Sequence, residues 1–467
     1  MSGNEKQIDL IEEKLPIGKN LIFALQHVLV MVAGAVTVPV IIGNSAGLDD
    51  SVITFLISCA LFAAGVATFF QTKGFKNFLG AKIPVVEGTS FAAVVTMSTI
   101  ASGAAQGGSS TEGLQIIAGG VIAAGLFCFL MAGVWGKLLK FFPKVVTGTV
   151  VTIIGLSLFP VAIKWIATDT VTNKILPEAP VQNIILALIT LVLILLFNKF
   201  LKGILGNLSI LLGLGAGTIV AMLMGMANFS TVTSAETPFF RIVTPFYFGL
   251  PKFEVGAIFS FILVMLVIMT EATGNMIAVH NMAGREVEEE TLKKGLRSSG
   301  LFTMVSGCFN SYPVTAFAQN VGMLSLTGVY SRYISITASI MLIVLAFFPK
   351  FGALFAAIPK PVLGGAGFAM FGVVAVGGIR SLGKVNYDGN KNAILVAVSI
   401  GLSLIPTACP QFFNLLPKAV GEILHSGITI GCVSAILLNI FFNILFKPKE
   451  KNVEAQVNSN KKTGVSH

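Results

Sequence analysis

Apolar runs of about 20 residues, each long enough to cross the hydrocarbon core of a bilayer as a helix, recur along the whole chain. They fall at 21–43, 51–70, 84–102, 112–134, 143–161, 180–197, 205–228, 255–279, 296–311, 313–328, 331–349, 352–379, 391–408 and 421–446, seven in each half. The third and tenth are the least regular, and the ninth is weak. Hydrophobic residues make up 54% and charged residues 11% of the chain, with a mean hydropathy of +0.87. A soluble domain carries about 25% charge. The expected class is therefore an all-α integral membrane protein with fourteen transmembrane segments and no soluble domain. The first twenty residues are polar and of mixed charge, and the first apolar run is too long for a signal core, so it reads as the first membrane helix.

Orientation follows from Lys and Arg. With the N-terminus inside and fourteen spans, 24 of the 31 Lys and Arg lie in cytoplasmic segments and 7 in outer ones. That asymmetry places both termini in the cytoplasm of a multi-pass cell-membrane protein. The net charge of +10 is then mostly loop charge facing anionic headgroups, and it calls for no nucleic-acid partner. The tail 447–467 is polar and reads as disordered. The outer loop near 229–253, rich in Thr, Ser and Pro, has room for a short ordered element.

The halves look like copies. Glu87-Gly-Thr-Ser-Phe-Ala-Ala-Val-Val95 returns in altered form as Pro313-Val-Thr-Ala-Phe-Ala-Gln-Asn-Val321. Pro143-Lys144-Val145-Val146-Thr147-Gly148 returns as Pro359-Lys360-Pro361-Val362-Leu363-Gly364. The two offsets, 226 and 216 residues, are close enough for one duplication to produce both; the alternative is chance likeness between apolar helices. Duplicated apolar halves mark secondary transporters, which hold substrate where the repeat is interrupted.

An ionisable group at membrane depth is a functional candidate by default. Glu271 lies deep in the eighth run. His27, in Gln26-His27 of the first, suits a structural hydrogen bond better than a ligand contact. Glu87 reads best as a group at the cytoplasmic mouth beside Lys82. His280 and His425 lie near span ends and take no role. Cys59, Cys128, Cys308, Cys409 and Cys432 are scattered without metal-ligand spacing and read as small core residues. No catalytic constellation and no metal site emerge, so no enzyme activity and no bound cofactor are expected.

The third and tenth runs, broken by Pro and Gly, read as short extended stretches followed by half-length helices. Extended backbone survives at membrane depth only when buried in protein or lining a cavity. Two such stretches can pair with each other, aiming the positive ends of the following helices at one central site. Gln319 offers a flat amide with donors and acceptor together. Ionised Glu271 accepts two N–H bonds, and Phe91 and Phe317 offer apolar faces. That set matches the edge and faces of a planar heterocycle such as a nucleobase. For Phe91 and Phe317 the alternative is helix packing; for Gln319-Asn320 it is polar contact between helices.

Gln26-His27, Glu271, and Gln319-Asn320-x-Gly322-x4-Thr327-Gly328, in that order, resemble the signature of the nucleobase–ascorbate transporter family, over residues 16–446. The resemblance implies fourteen spans in two inverted seven-span repeats, with short β-strands in spans 3 and 10. It implies a core domain of spans 1–4 and 8–11 (21–134 and 255–349) after an N-terminal tail, 1–20. A gate domain of spans 5–7 and 12–14 (135–254 and 350–446) would form the wall and a homodimer contact. Transport would be an elevator-like movement of core against gate, driven by H⁺ or Na⁺. By the same resemblance Glu271 and Gln319 bind the base, Asn320 supports the site, and Phe91 stacks. The backbone around Ser90, Phe91 and Ala318 adds hydrogen bonds, and His27, Gln26, Gly322 and Thr327 support the helices. Gln at position 319 resembles xanthine and urate transporters, whereas uracil transporters commonly carry Glu; Ser90 is similar to what urate-accepting members carry.

Two positions depart from the family. Asn275 and Ser299 stand where many members have Asp, which leaves Glu271 as the clearest coupling group. Among rivals, an anion transporter of the sulfate-permease type shares the fold but should lack the Gln-Asn pair and the midplane Glu. A channel would want a continuous polar stripe.

Overall fold

The computed structural model of the chain describes residues 9–169, 175–233, 238–409, 411–413, 415–416, 424 and 426–445. His425, Lys174, Lys418, the start of the last apolar run and the tail 447–467 lie outside them. Each of the fourteen apolar runs contains a helix: α1 (Ile17–Ser45), α2 (Asp50–Lys73), α3 (Val94–Gln106), α4 (Ser110–Met131), α5 (Lys144–Ile166), α6 (Val181–Phe200), α7 (Ser209–Leu223), α8 (Val255–Met282), α9 (Glu289–Cys308), α10 (Ala318–Thr327), α11 (Arg332–Ala346), α12 (Lys360–Leu382), α13 (Lys391–Ser403) and α14 (Gly427–Asn439). Nine helices among the described residues are long and apolar enough to cross a membrane, ten if α11 and the short helix Pro349–Ala356, bent by 82°, count as one. α3 and α7 are apolar but shorter.

Prolines set several helix starts. Pro16, Pro143, Pro180 and Pro359 each stand just before the first helical residue, where a missing N–H costs nothing. α10 stops at Gly328, whose φ of +66° a side-chain-bearing residue resists. Pro39 inside α1 frees the carbonyl of Ala35 from its helical partner. The Thr89 hydroxyl reaches that carbonyl at 3.5 Å, so the broken third segment repairs the break in the first helix.

The irregular segments pair. Strand β1 (Glu87–Thr89) lies antiparallel to β2 (Val314–Ala316), with Glu87 opposite Ala316, Gly88 opposite Thr315 and Thr89 opposite Val314. The Ser90 N–H donates to Pro313 O at 2.8 Å and the Phe317 N–H to Val86 O at 2.8 Å, extending the ladder by one bond at each end. All six strand residues are buried. Extended backbone thus survives at this depth because each segment satisfies the other. A 3-10 turn, Phe91–Ala93, leads from β1 into α3.

Small residues let helices meet backbone to backbone. α5 packs along α12, where a Cβ on Gly155 would stand 2.3 Å from the Ala375 nitrogen and one on Gly378 would stand 2.3 Å from the Thr152 nitrogen. In lipid, where no hydrophobic force drives helices together, such close packing does the holding. α4 lies against α8 and α9, α2 against α11, and α1 against α2, α3 and α11. A second set of contacts joins α6 with α7 and α12, and α14 with α13 and α5.

Loop contacts show which helix ends share a side. Arg332, at the start of α11, meets Glu12 at 2.8 Å and the Thr72 carbonyl at the end of α2 at 3.1 Å, while Arg285 pairs with Asp9. At the other side Lys252 meets Glu112 at 2.5 Å, and Arg241 covers the rings of Phe55 and Tyr247. In the loop near 229–253 the ordered element is the helical turn Ser230–Thr233. Of the cysteines, Cys59, Cys128 and Cys432 are buried and Cys308 half-buried; Cys409 is exposed, which corrects its reading as a core residue.

Candidate functional site

The strand pair fixes where the half-helices begin. The turn after β1 starts beyond one end of the ladder and α10 beyond the other, so the two starts lie about 10 Å apart at the rise of a β-strand. α8 packs against β2, the Phe91 turn and α10. Asn275 on α8 donates its amide to Ala316 O at 2.8 Å, pinning the helix to β2. Glu271 lies one turn before Asn275 on the same face, so it is carried to the rim of the strand pair. Glu271 and Gln319 are both half-buried, and neither side chain has a hydrogen-bond partner among the described residues. Ala318, Gly322 and Gly274, on the adjoining faces of α10 and α8, are exposed. The two polar side chains therefore border open space with their hydrogen-bonding capacity uncommitted.

Asn320, next along α10, commits its amide nitrogen to α1, while its buried Oδ1 has no partner among the described residues. Its Nδ2 donates to the His27 backbone carbonyl at 2.9 Å and to His27 Nδ1 at 3.0 Å. An amide nitrogen only donates, so Nδ1 accepts and the imidazole proton sits on Nε2. His27, 3% exposed, thereby fastens α1 to α10. Gln26 is buried beside it with Oε1 unpartnered, and Thr327 Oγ1 bonds back to Met323 O at 3.0 Å, closing the end of α10.

The two phenylalanines divide their tasks. The Phe317 ring, 4% exposed, is wedged between α1 and β1: a Cβ on Gly34 would stand 2.7 Å from it and one on Gly88 2.6 Å from it. Its faces are spent on packing. Phe91 is half-buried, 6.3 Å from Phe317 between ring centroids and 6.2 Å from Phe371 of α12, which in turn lies 6.3 Å from Trp165 of α5 with the rings tilted. An aromatic chain thus runs from the strand pair to the α5–α12 pair. The sequence reading missed Phe371, one of 37 Phe with nothing to single it out. Ser90 is buried, and its Oγ accepts the Ala92 N–H at 3.2 Å, capping the turn.

Glu87 corrects its reading as a group at the membrane mouth. It is 1% exposed, opposite Ala316 in the ladder, with Ser299 Oγ donating to its Oε1 at 3.4 Å. Lys82 is not its partner: no salt bridge among the described residues involves Glu87. Burial of residues 83–86 ahead of it was the signal available, since the run Ile83-Pro-Val-Val86 is wholly apolar.

A buried strand pair leading into two half-helices, with uncommitted polar side chains on α8 and at the start of α10, is the arrangement that a membrane permease needs to hold a solute. A family model described as "Permease family" matches residues 18–412, and the chain belongs to that family, the nucleobase–ascorbate transporters, rather than to any class of enzyme. It is 40% identical over 445 residues to the "Uric acid transporter UacT" of Escherichia coli, covering 95% of this chain and 90% of that one. It is 41% identical to the "Uric acid permease PucJ" of Bacillus subtilis (90% and 92% covered) and 38% identical to the "Xanthine permease" of the same species (96% and 99% covered). Among solved structures, the transmembrane domain of a cyanobacterium bicarbonate transporter, BicA, superposes with a TM-score of 0.61 at 16% identity, over 91% of this chain and all of that one. The murine anion transporter Slc26a9 gives 0.58 at 14% identity, over 93% and 70%. At that identity the likeness concerns the fold alone.

Proposed function

We propose that this protein imports a purine base, xanthine or urate, by ion symport, with Glu271 and Gln319 reading the base. The observation that carries the proposal is that these two side chains, uncommitted to any protein partner, stand at the rim of the paired strands and the start of α10. A carboxylate accepts the two N–H groups of one edge of the heterocycle. The Gln319 amide answers an adjacent C=O and N–H. Phe91 stacks on the base, with Ala318 offering backbone. The relatives named for uric acid and xanthine support the choice of base. Uracil is the second reading; Gln rather than Glu at 319 favours the purines.

The movement we infer sets a core of α1–α4 and α8–α11 against a gate of α5–α7 and α12–α14; the packing of α4 on α8 and α9, of α2 on α11, and of α5 and α6 on α12 supports that division. Antiparallel pairing of the repeated motif supports an inverted repeat of fourteen spans, because a two-fold axis in the membrane plane brings copies of one strand together antiparallel. Contacts between N-terminal residues, the end of α2 and the start of α11 support the sidedness that the charge rule assigns, with both termini cytoplasmic. A homodimer through the gate follows the resemblance. Uptake of labelled xanthine, urate, guanine, hypoxanthine and uracil by proteoliposomes tests the reading. Saturable uptake of xanthine or urate, with uracil a poor competitor, is expected; uptake of bicarbonate or sulfate without any base would overturn it.

A further inference from the structure

We propose that Glu87 and Ser299 form a proton-binding site, with Glu87 as the group that carries the coupling proton. The proposal rests on the symport reading above and names the ion and the residue for it. Glu87 is 1% exposed, and while Oε1 faces the Ser299 hydroxyl at 3.4 Å, Oε2 has no partner among the described residues. The backbone cannot swing the group out. Its N–H donates to Thr68 Oγ1 at 2.8 Å, its carbonyl accepts from the same hydroxyl at 3.3 Å, and the residue is locked opposite Ala316.

The ionisable groups that interact electrostatically with Glu87 are the Glu271 carboxyl from α8 and the Cys128 thiol from α4, and neither is a cation. Ser299 from α9 and Thr68 from α2 are neutral. A bare carboxylate in that setting is costly, and one proton on Oε2 removes the charge. The same proton ties the ion to the base. Glu271 must be an anion to accept two N–H bonds, and a second anion at Glu87 opposes it. A protonated Glu87 thus favours the base-bound carrier, and by linkage a bound base favours protonation of Glu87. One proton is taken up from outer water and released to inner water in each forward cycle. Exchange of one base for another needs no release.

The test uses the full chain in proteoliposomes with two readouts: uphill accumulation of labelled xanthine or urate under an inward proton gradient, and exchange of internal for external base without a gradient. In Glu87→Gln accumulation should fall by about tenfold or more while exchange persists. Adding Ser299→Asp, which sets a carboxylate within reach of the same spot, should restore accumulation to E87Q. Should E87Q fail to fold, Ser299→Ala should still shift the pH of half-maximal accumulation by about half a unit or more. Wild-type-like accumulation in folded E87Q, an unmoved pH profile in S299A, or wild-type accumulation that needs Na⁺ and ignores a protonophore would each overturn the proposal. Those outcomes leave base exchange intact, whereas a wild type that exchanges no purine base sinks the transport reading itself and this one with it.

Discussion

The Asn320 amide reaches across to His27 twice, donating to its ring Nδ1 at 3.0 Å and to its backbone carbonyl at 2.9 Å. The pair ties the half-helix that bears Gln319 to α1, so the position of Gln319 depends on a contact made by its neighbour in the chain. Asn320→Ala should lower stability by about 1–3 kcal/mol, because the buried His27 ring nitrogen loses its donor and the His27 carbonyl loses the one it has beyond its helix. Thermal unfolding of the detergent-purified variant checks this; an unshifted melting temperature would show that α10 is held by other means.

Gly34 leaves no room for a side chain under the Phe317 ring, where a Cβ would stand 2.7 Å away. Gly34→Ala should force the ring off its seat and cost about 1–3 kcal/mol. Phe317 leads directly into α10, so base affinity should fall along with the melting temperature. A variant with wild-type affinity and stability would mean that α1 and β2 part at little cost.

Gln319→Glu should change the order of preference among bases. It replaces a donor with an acceptor, so a base that presents a carbonyl there loses a bond and one that presents an N–H keeps it. Competition by xanthine, urate, hypoxanthine and uracil against labelled substrate checks the ranking. A uniform loss with the ranking unchanged would place Gln319 outside direct contact.

Much of this architecture is legible in the sequence because membrane helices announce themselves in apolar length and because the motif is repeated. The repeated motif, in runs broken by Pro and Gly, points to paired extended stretches, and β1 and β2 pair as expected. The two Phe of that motif look alike in sequence yet separate in the structure. What divides them is packing against Gly34 and Gly88, residues distant in the chain from Phe317. Asn275 shows the same limit. As a letter it reads as a lost acid, but its amide donates to Ala316 O at 2.8 Å, which an ionised Asp has no proton to do. In sequence Glu87 looks like a surface partner for Lys82, five residues away, whereas the strand turns its carboxyl toward Ser299 of α9.

The central claim, that Glu271 takes a purine base through its carboxylate, is tested most directly by titrating xanthine and urate into the purified protein and into Glu271→Gln. Losing a hydrogen bond to a charged group costs about 1.5–3 kcal/mol, so the variant should bind roughly 10- to 150-fold more weakly while melting at the wild-type temperature. Equal affinity in the wild type and Glu271→Gln would remove Glu271 from the site and contradict the claim.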